Sequence, residues 1–229
     1  MVNGQAGIGI GVHLCLVAEM PLLPKEQIPS LVDRRGYLPE SYGHFFYKIC
    51  RRRINFLEAE KELDAQIRKA LDSGIVPTHL DSHQYIHLLP PIFNIAIRLA
   101  KKYNIRYIRY PKQDNYIPLA CLGHYIKKIY LAFFARHQLN MLKENNIYCP
   151  DFSCGFIASG RLNERIIRNF LENLNAGRND IICHPGYYPQ NKKYAAWRYC
   201  WQRETNALNS EAIKDLIKKL NITLSNYAA

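Results

Sequence analysis

Short apolar runs of β character alternate along this chain with longer runs of helical period, and that alternation admits few architectures. Gly7 to Leu16 (Gly-Ile-Gly-Ile-Gly-Val-His-Leu-Cys-Leu) alternates small and apolar residues and then reaches His13, as a buried strand does when it nears a site. From Asn55 to Ser73 the positions Leu63, Ile67, Ala70 and Leu71 keep a 3.6-residue period, and Gly74 stands where a glycine stops a helix. Val76 to His83 is the next expected strand. Pro90 and Pro91 open a helix with Phe93, Ala96, Leu99, Ala100 and Tyr103 on one face, because proline is tolerated in a first turn. Ile105 to Tyr110 is expected as a strand and Leu122 to Lys143 as a helix with Ile126, Ile129, Tyr130, Phe133 and His137 on its stripe. Phe152 to Ala158 (strand), Leu162 to Leu174 (helix) and Asp180 to His184 (strand) follow. Ser210 should cap a last helix, and Asn221 to Tyr227 should close the fold as a strand. Strands and helices in this order mean βα units and a parallel sheet, open or closed into a barrel. With no internal repeat or low-complexity linker, one α/β domain over residues 1–229 is the simplest organisation.

Composition narrows the function classes. The 229 residues are 48% hydrophobic, enough for a full core and incompatible with a disordered chain. The longest apolar stretch, Ile129 to Ala135, is far short of the ~20 residues of a membrane span, and the first residues lack the pattern of a secretory signal, so a cytoplasmic location is expected. Seven cysteines without a Cys-x-x-Cys pair argue for reduced thiols and against a zinc ribbon. A formal charge of +12 favours anionic partners without choosing among phosphate, nucleic acid and membrane. No nucleic-acid-binding fold signature accompanies the charge, and none is expected to be bound.

The chemistry concentrates where strands end. Gly-Val-His13-Leu, Thr-His79-Leu-Asp81-Ser-His83-Gln-Tyr85-Ile-His87 and Ile-Cys-His184-Pro-Gly each bring a histidine to a strand terminus, the position at which parallel α/β folds bind ligands. Between Asp81 and His87 a strand would align Asp81, His83, Tyr85 and His87, whereas a helical turn would pair only His83 with His87. Either way, His83 near a carboxylate has the make-up of a nitrogen and oxygen metal site. Gly7-x-Gly9-x-Gly11 is not a phosphate loop, since no helix follows it. Arg51-Arg52-Arg53 and Lys101-Lys102 are expected to be solvated. The aromatic and basic helix 122–143 has the composition of an interfacial element, which makes weak contact with anionic membranes a candidate property.

These residues resemble a known family. Gly-Val-His-Leu, Ile28-Pro29-Ser30-Leu31-Val32-Asp33 with Gly36-Tyr37-Leu38-Pro39, Thr-His-Leu-Asp-Ser-His-Gln-Tyr-Ile-His-Leu-Leu-Pro-Pro and Cys-His-Pro-Gly are similar to segments of the YdjC-like carbohydrate deacetylases, and most of all to the hopanoid-biosynthesis-associated branch. The similarity is strongest to about Tyr187 and continues more weakly through Arg203 and Glu204. It implies a distorted (β/α) barrel, with a basic aromatic helical insert near 115–145, that removes N-acetyl groups from an amino sugar or glycolipid with one divalent metal ion. It implies His13 and His83 as metal ligands, His184 as the acid for the leaving amine, and His87, Tyr85 and Arg203 facing substrate. Asp81 is implied as a partner behind the metal or as a substitute catalytic carboxylate. Magnesium is the metal the resemblance suggests, while two imidazoles and a carboxylate also suit zinc.

Two departures accompany the resemblance. Tyr85 stands where the family has a further histidine. The family also opens on an Asn-Ala-Asp-Asp-Phe-Gly strand, and no Asp-Asp pair occurs in this sequence, which leads to the expectation that the first βα unit is lacking. A chain so shortened would be a weak deacetylase or a non-catalytic sugar- or metal-binding remnant, and its unpaired strand edge would favour a homo-oligomer.

Overall fold

The computed structural model describes residues 7–112, 122–156 and 158–227, and side chains among these outside 122–132. The chain divides into two compact units. The first runs through residue 110 and takes back 131–149 and the residues from 225 onward; the second comprises 111–130 and 150–224.

The first unit is built on three parallel strands in the order β1 (Gly11–Leu14), β2 (His79–Ser82), β3 (Tyr107–Ile108). The register aligns Gly11, His79 and Tyr107, then Val12, Leu80 and Ile108. Because side chains alternate along a strand, these rows face opposite ways. Val12, Leu80, Ile108 and Leu14 are buried and make one face the core; Gly11, His79 and Tyr107, with His13 and Asp81 two residues on, share the other. Helices α1 (Tyr42–Cys50), α2 (Phe56–Asp72) and α3 (Pro90–Lys102) belong to this unit, with α2 and α3 in contact and α2 against β1. In α2 the Asn55 side chain accepts a hydrogen bond from Leu57 N at 3.0 Å, and Ala59, Leu63 and Ile67 recur every four residues on the buried side. Gly74 ends it with φ 76°, a conformation that costs glycine little. Truncating the fully buried Leu63 to alanine would cost about 2–5 kcal/mol.

The same helix secures the loop that follows β1. Glu62, fully buried, accepts hydrogen bonds from Leu22 N (2.8 Å) and Leu23 N (3.0 Å), and Glu58 accepts one from Ser30 N at 2.7 Å. Gln66 pairs with both backbone groups of Cys15, accepting from its N–H at 2.8 Å and donating to its carbonyl at 2.7 Å. A side-chain amide thus satisfies the outer edge of the chain just past β1, the place where an unpaired strand would invite association.

α4 (Leu122–Glu144) precedes the second unit's parallel pair, β4 (Phe152–Cys154) and β5 (Asn179–Ile181). Helices α5 (Glu164–Glu172), α6 (Lys192–Ala195), α7 (Trp201–Asn209) and α8 (Glu211–Lys219) complete that unit, and Ile167, Leu171, Ala207, Ile213 and Leu216 form the apolar cluster between α5, α7 and α8. The expected parallel α/β class is the one observed, as two separate ladders among the described residues. No helix among those residues is long and apolar enough to cross a membrane, and no disulfide joins the described cysteines.

Several local expectations are corrected. The strands are shorter than the apolar runs, because pairing follows the ladder and not hydropathy. Asn221 to Tyr227 forms no strand: it is irregular chain whose Asn226 Nδ2 donates to Gly7 O at 3.1 Å. Ser210 precedes α8, yet its hydroxyl donates to Glu164 Oε2 at 2.8 Å and ties α8 to α5 instead of capping its own helix. On α4, Phe133 and His137 of the expected apolar stripe are exposed, and among the described side chains the buried positions are Gln138 and Leu142. The polar Gln138 is tolerated there because it accepts from Tyr110 Oη (3.1 Å) and donates to Leu88 O (2.8 Å). Ile126, Ile129 and Tyr130 of the same stripe lie outside the described side chains. Helices α1, α6 and α7 were not expected.

Candidate active site

The polar face of the first sheet carries the site. His13 and Asp81 are register partners on β1 and β2, and Asp81 Oδ1 lies 2.8 Å from His13 Nδ1. Arg109 follows β3 directly; its backbone N–H donates to Leu80 O at 2.9 Å, which extends the ladder by one residue and brings its guanidinium beside the same carboxylate, Nη1 to Oδ2 at 2.8 Å. Three neighbouring strands therefore contribute one row, His13, Asp81, Arg109, and strand spacing brings the three side chains within reach of one another.

One row below, the His79 ring lies over Gly11, where any Cβ would overlap it, and this explains the last glycine of the Gly-x-Gly-x-Gly run. Tyr227 covers the row: its ring is 4.2 Å from that of His79 and 5.6 Å from that of Tyr107, and its hydroxyl accepts from Arg109 Nε at 3.2 Å.

After Ser82 the chain turns sharply. Gln84 and Tyr85 both take the left-handed conformation, with φ 52° and 56°, inside a short 3-10 segment from His83 to Leu88. Consecutive non-glycine residues held there cost energy that the surrounding contacts offset. One such contact is Gln84 Oε1, which accepts from Tyr42 N at 2.8 Å. Neither arrangement expected for 81–87 holds, since the strand ends before His83 and the kink interrupts the helical turn. The His83 ring instead stands edge-on to His13, with centroids 5.8 Å apart. His87 points inward and is buried: Nδ1 lies 2.5 Å from Ser82 Oγ and Nε2 lies 2.7 Å from the Arg109 carbonyl. Both ring nitrogens are thereby committed, so His87 joins the turn to β3 instead of facing substrate. Tyr85 has its ring centroid 6.3 Å from that of His87.

The electrostatics divide these groups. Burial raises the Asp81 carboxyl, but the hydrogen bond from His13 and the charges of His13 and Arg109 outweigh it and hold the group at about 2. With both oxygens engaged and so little basicity, Asp81 is poorly suited to take a proton from water and well suited to fix the His13 ring. Burial lowers His79 and His87 to about 4, so both imidazoles are neutral near neutral pH.

Two imidazoles of this arrangement have the chemistry of divalent-cation ligands. The His13 side chain is 54% exposed, its Nδ1 faces a carboxylate, and its Nε2 is left for a ligand, which is how carboxylates orient metal-binding imidazoles. His83 supplies a second imidazole beside it. Among the described residues no group of three or more His, Cys, Asp or Glu is arranged to hold a metal; the imidazoles near one another here are His13 on β1 and His83 just past β2.

His184 and Arg203 lie in the second unit. His184 follows β5, and its backbone N–H donates to Glu204 Oε2 at 2.5 Å; the buried Glu204 also accepts from Leu162 N at 2.9 Å. Burial raises the Glu204 carboxyl, against the lowering effect of those two N–H groups. Thr205, next on α7, accepts from Gly186 N at 2.7 Å, so two consecutive residues of α7 fix the Cys-His-Pro-Gly turn. Arg203 is exposed, with its guanidinium 3.0 Å from Cys200 Sγ. Arg109, Glu204 and Tyr227 escape a search for histidine motifs, since each acts through a partner that only the tertiary structure brings to it.

Parallel strands with polar side chains gathered at their carboxyl ends define an α/β protein of the kind that binds and transforms ligands at that edge. The chain belongs to the YdjC-like protein family, whose model matches residues 2–219. It is 27% identical to a carbohydrate deacetylase of Clostridium beijerinckii, with 99% of this chain and 80% of that protein covered. It is 25% identical to a chitooligosaccharide deacetylase of Enterobacter sp. strain 638, with 99% and 84% covered. Among solved structures it resembles a candidate cellobiose-phosphate cleavage protein of Enterococcus faecalis V583, with TM-score 0.69, 26% identity, and 96% of this chain and 77% of that one covered.

Proposed function

We propose that this chain hydrolyses the N-acetyl group of an amino sugar or a glycolipid, water and the amide giving acetate and a free amine, and that a divalent cation, magnesium or zinc, serves the reaction. The observation that carries this reading is the His13, Asp81, Arg109 row with the His83 ring 5.8 Å from His13. The deacetylase relatives support it, and the aromatic, basic sequence of α4 supports the hopanoid-associated branch and with it a lipid-linked substrate.

In this reading His13 and His83 hold the cation, which when bound would polarise the amide carbonyl and acidify water. Asp81 keeps the His13 ring oriented and its Nε2 available. Arg109 holds the second oxygen of Asp81 and keeps the carboxylate ionised. The Cys-His-Pro-Gly resemblance assigns His184 the role of proton donor to the departing nitrogen, and within its own unit Glu204 sets the backbone from which it projects. Arg203 and Tyr85 are assigned to contacts with substrate hydroxyls.

The test is acetate release from N-acetylglucosamine oligomers by metal-stripped protein with and without added magnesium or zinc. Metal-stimulated release, lost in His13→Ala, is expected. Tight sugar binding with no acetate under any metal would replace the reading with a sugar-binding module.

A further inference from the structure

Around His184 the second unit displays more aromatic surface than its core requires. Both tryptophans of the chain, Trp197 and Trp201, lie here, with ring centroids 6.4 Å apart and planes inclined at 30°. Tyr199 sits between them, 5.7 Å from Trp197 and 5.1 Å from Trp201, and Tyr194 abuts Trp197 at 5.1 Å. None of these rings is buried, and Tyr187 and Tyr188 just ahead are 80% and 74% exposed. A structural cluster would bury its rings, since burial is what makes an aromatic residue stabilising. Contiguous rings that stay partly exposed, with two largely exposed tyrosines just ahead of them, mark a recognition surface.

The backbone fixes this surface. The Tyr199 ring lies over Gly160, which has φ 73° and where a Cβ would overlap the ring, and Cys200 N donates to Gly160 O at 2.7 Å. Trp201 opens α7, the helix whose Glu204 and Thr205 hold the Cys-His-Pro-Gly turn. The surface is continuous with the candidate chemistry, because the His184 ring packs edge-on against Tyr199 at 5.0 Å and Trp201 at 6.5 Å.

We propose that Trp197, Tyr199 and Trp201 form a stacking platform for the pyranose rings of an oligosaccharide, beside His184. The inference rests on the deacetylase reading and extends it to substrate length. A pyranose presents a flat face of axial C–H bonds that packs on an aromatic ring, while its equatorial hydroxyls point outward to polar groups. Partly exposed tryptophans and tyrosines, rigid and tipped with N–H or O–H donors, meet both demands. A platform of several rings would accept several sugars, so chains of three or more units should bind better than the monosaccharide.

Because the chain has two tryptophans and both are here, its tryptophan emission reports on this surface alone. Titration of the full chain with N-acetylglucosamine and with its dimer to pentamer should give a saturable change in emission, with Kd falling at least tenfold from monomer to tetramer. Trp197→Ala, read through Trp201, should weaken tetramer binding about tenfold, and Trp197→Phe should restore most of it. Tetramer binding by Trp197→Ala with the parent's Kd overturns the platform, as does emission that stays flat with tetramer while acetate is being released. Emission that shifts with anionic phospholipid vesicles and not with sugars assigns the surface to lipid and overturns it too. If no acetate is released but the emission still responds to tetramer, the platform stands and the catalytic reading fails.

Discussion

The two regions that carry candidate chemistry are held by different means. In the first unit, His13, Asp81 and Arg109 are placed by strand register: ladder hydrogen bonds set the spacing, and the side chains need only alternate correctly. In the second unit, His184 sits beyond a strand of three residues, and one buried carboxylate, Glu204, joins it to Leu162. A ladder distributes the task over many weak contacts, whereas two adjacent side chains, Glu204 and Thr205, concentrate it. The first arrangement tolerates point changes around it, and the second depends on that pair.

The contrast extends to acid and base. His79 and His87 are buried neutral, with pKa held near 4 against an ordinary 6.5. As pH falls below 6.5 the unfolded chain takes up protons that the folded one refuses, so stability present above 6.5 is lost until about pH 4. The loss is at most about 3 kcal/mol for each imidazole. Glu204 has the opposite sign: its carboxyl is raised, so its contribution is full below its ordinary 4.5 and declines as pH rises through the shifted value. Melting temperature should fall from pH 7.5 to 4, and hydrogen exchange corrected for the intrinsic rate at each pH should show the first unit losing protection with acid. His87→Leu, which cannot titrate, should flatten that slope while lowering stability near pH 7. Equal acid sensitivity in parent and variant would break the comparison.

Glu204→Ala comes next in size. It leaves two N–H groups, of His184 and Leu162, without their acceptor, at about 1–3 kcal/mol each. Hydrogen exchange should localise the damage to α7 and the Cys-His-Pro-Gly turn, leaving β1 to β3 protected. Loss of protection throughout both units would show that the second region is not held separately.

The smallest effect is expected at Gly11. Gly11→Ala forces the His79 ring aside and should destabilise by about 1–3 kcal/mol, measured by urea unfolding. Because the His13 row is fixed by the ladder two residues on, metal binding should change by less than threefold. A larger change would mean that the rows are not independent.

The comparison also explains what the sequence made legible. The parallel α/β class followed from the alternation of apolar periods, and α2 and α3 were bounded by Asn55, Gly74 and Pro90 because caps and breakers act locally. His13 and Asp81 could be named from motifs, but their pairing depends on register between strands 68 residues apart, a distance over which no local signal operates. Arg109 was invisible for the same reason: its function arises only where β3 lies beside β2. His87 was misplaced because two left-handed residues, Gln84 and Tyr85, reverse the chain at a point where neither glycine nor proline announces it. On α4, Gln138 rather than Phe133 is buried, because hydrogen bonds to Tyr110 and Leu88 outweigh hydropathy there. α7 was missed because its buried face carries Glu204, a carboxylate that only the tertiary structure satisfies.

The proposed function has His13 and His83 together holding a divalent cation, with Asp81 acting through His13. Isothermal titration of the metal-stripped chain with zinc and with magnesium, repeated for His13→Ala, His83→Ala and Asp81→Asn, tests it most directly. Each histidine variant should lose measurable binding, and Asp81→Asn should bind about 10–100-fold more weakly. Affinity equal to the parent's in both histidine variants would contradict the account.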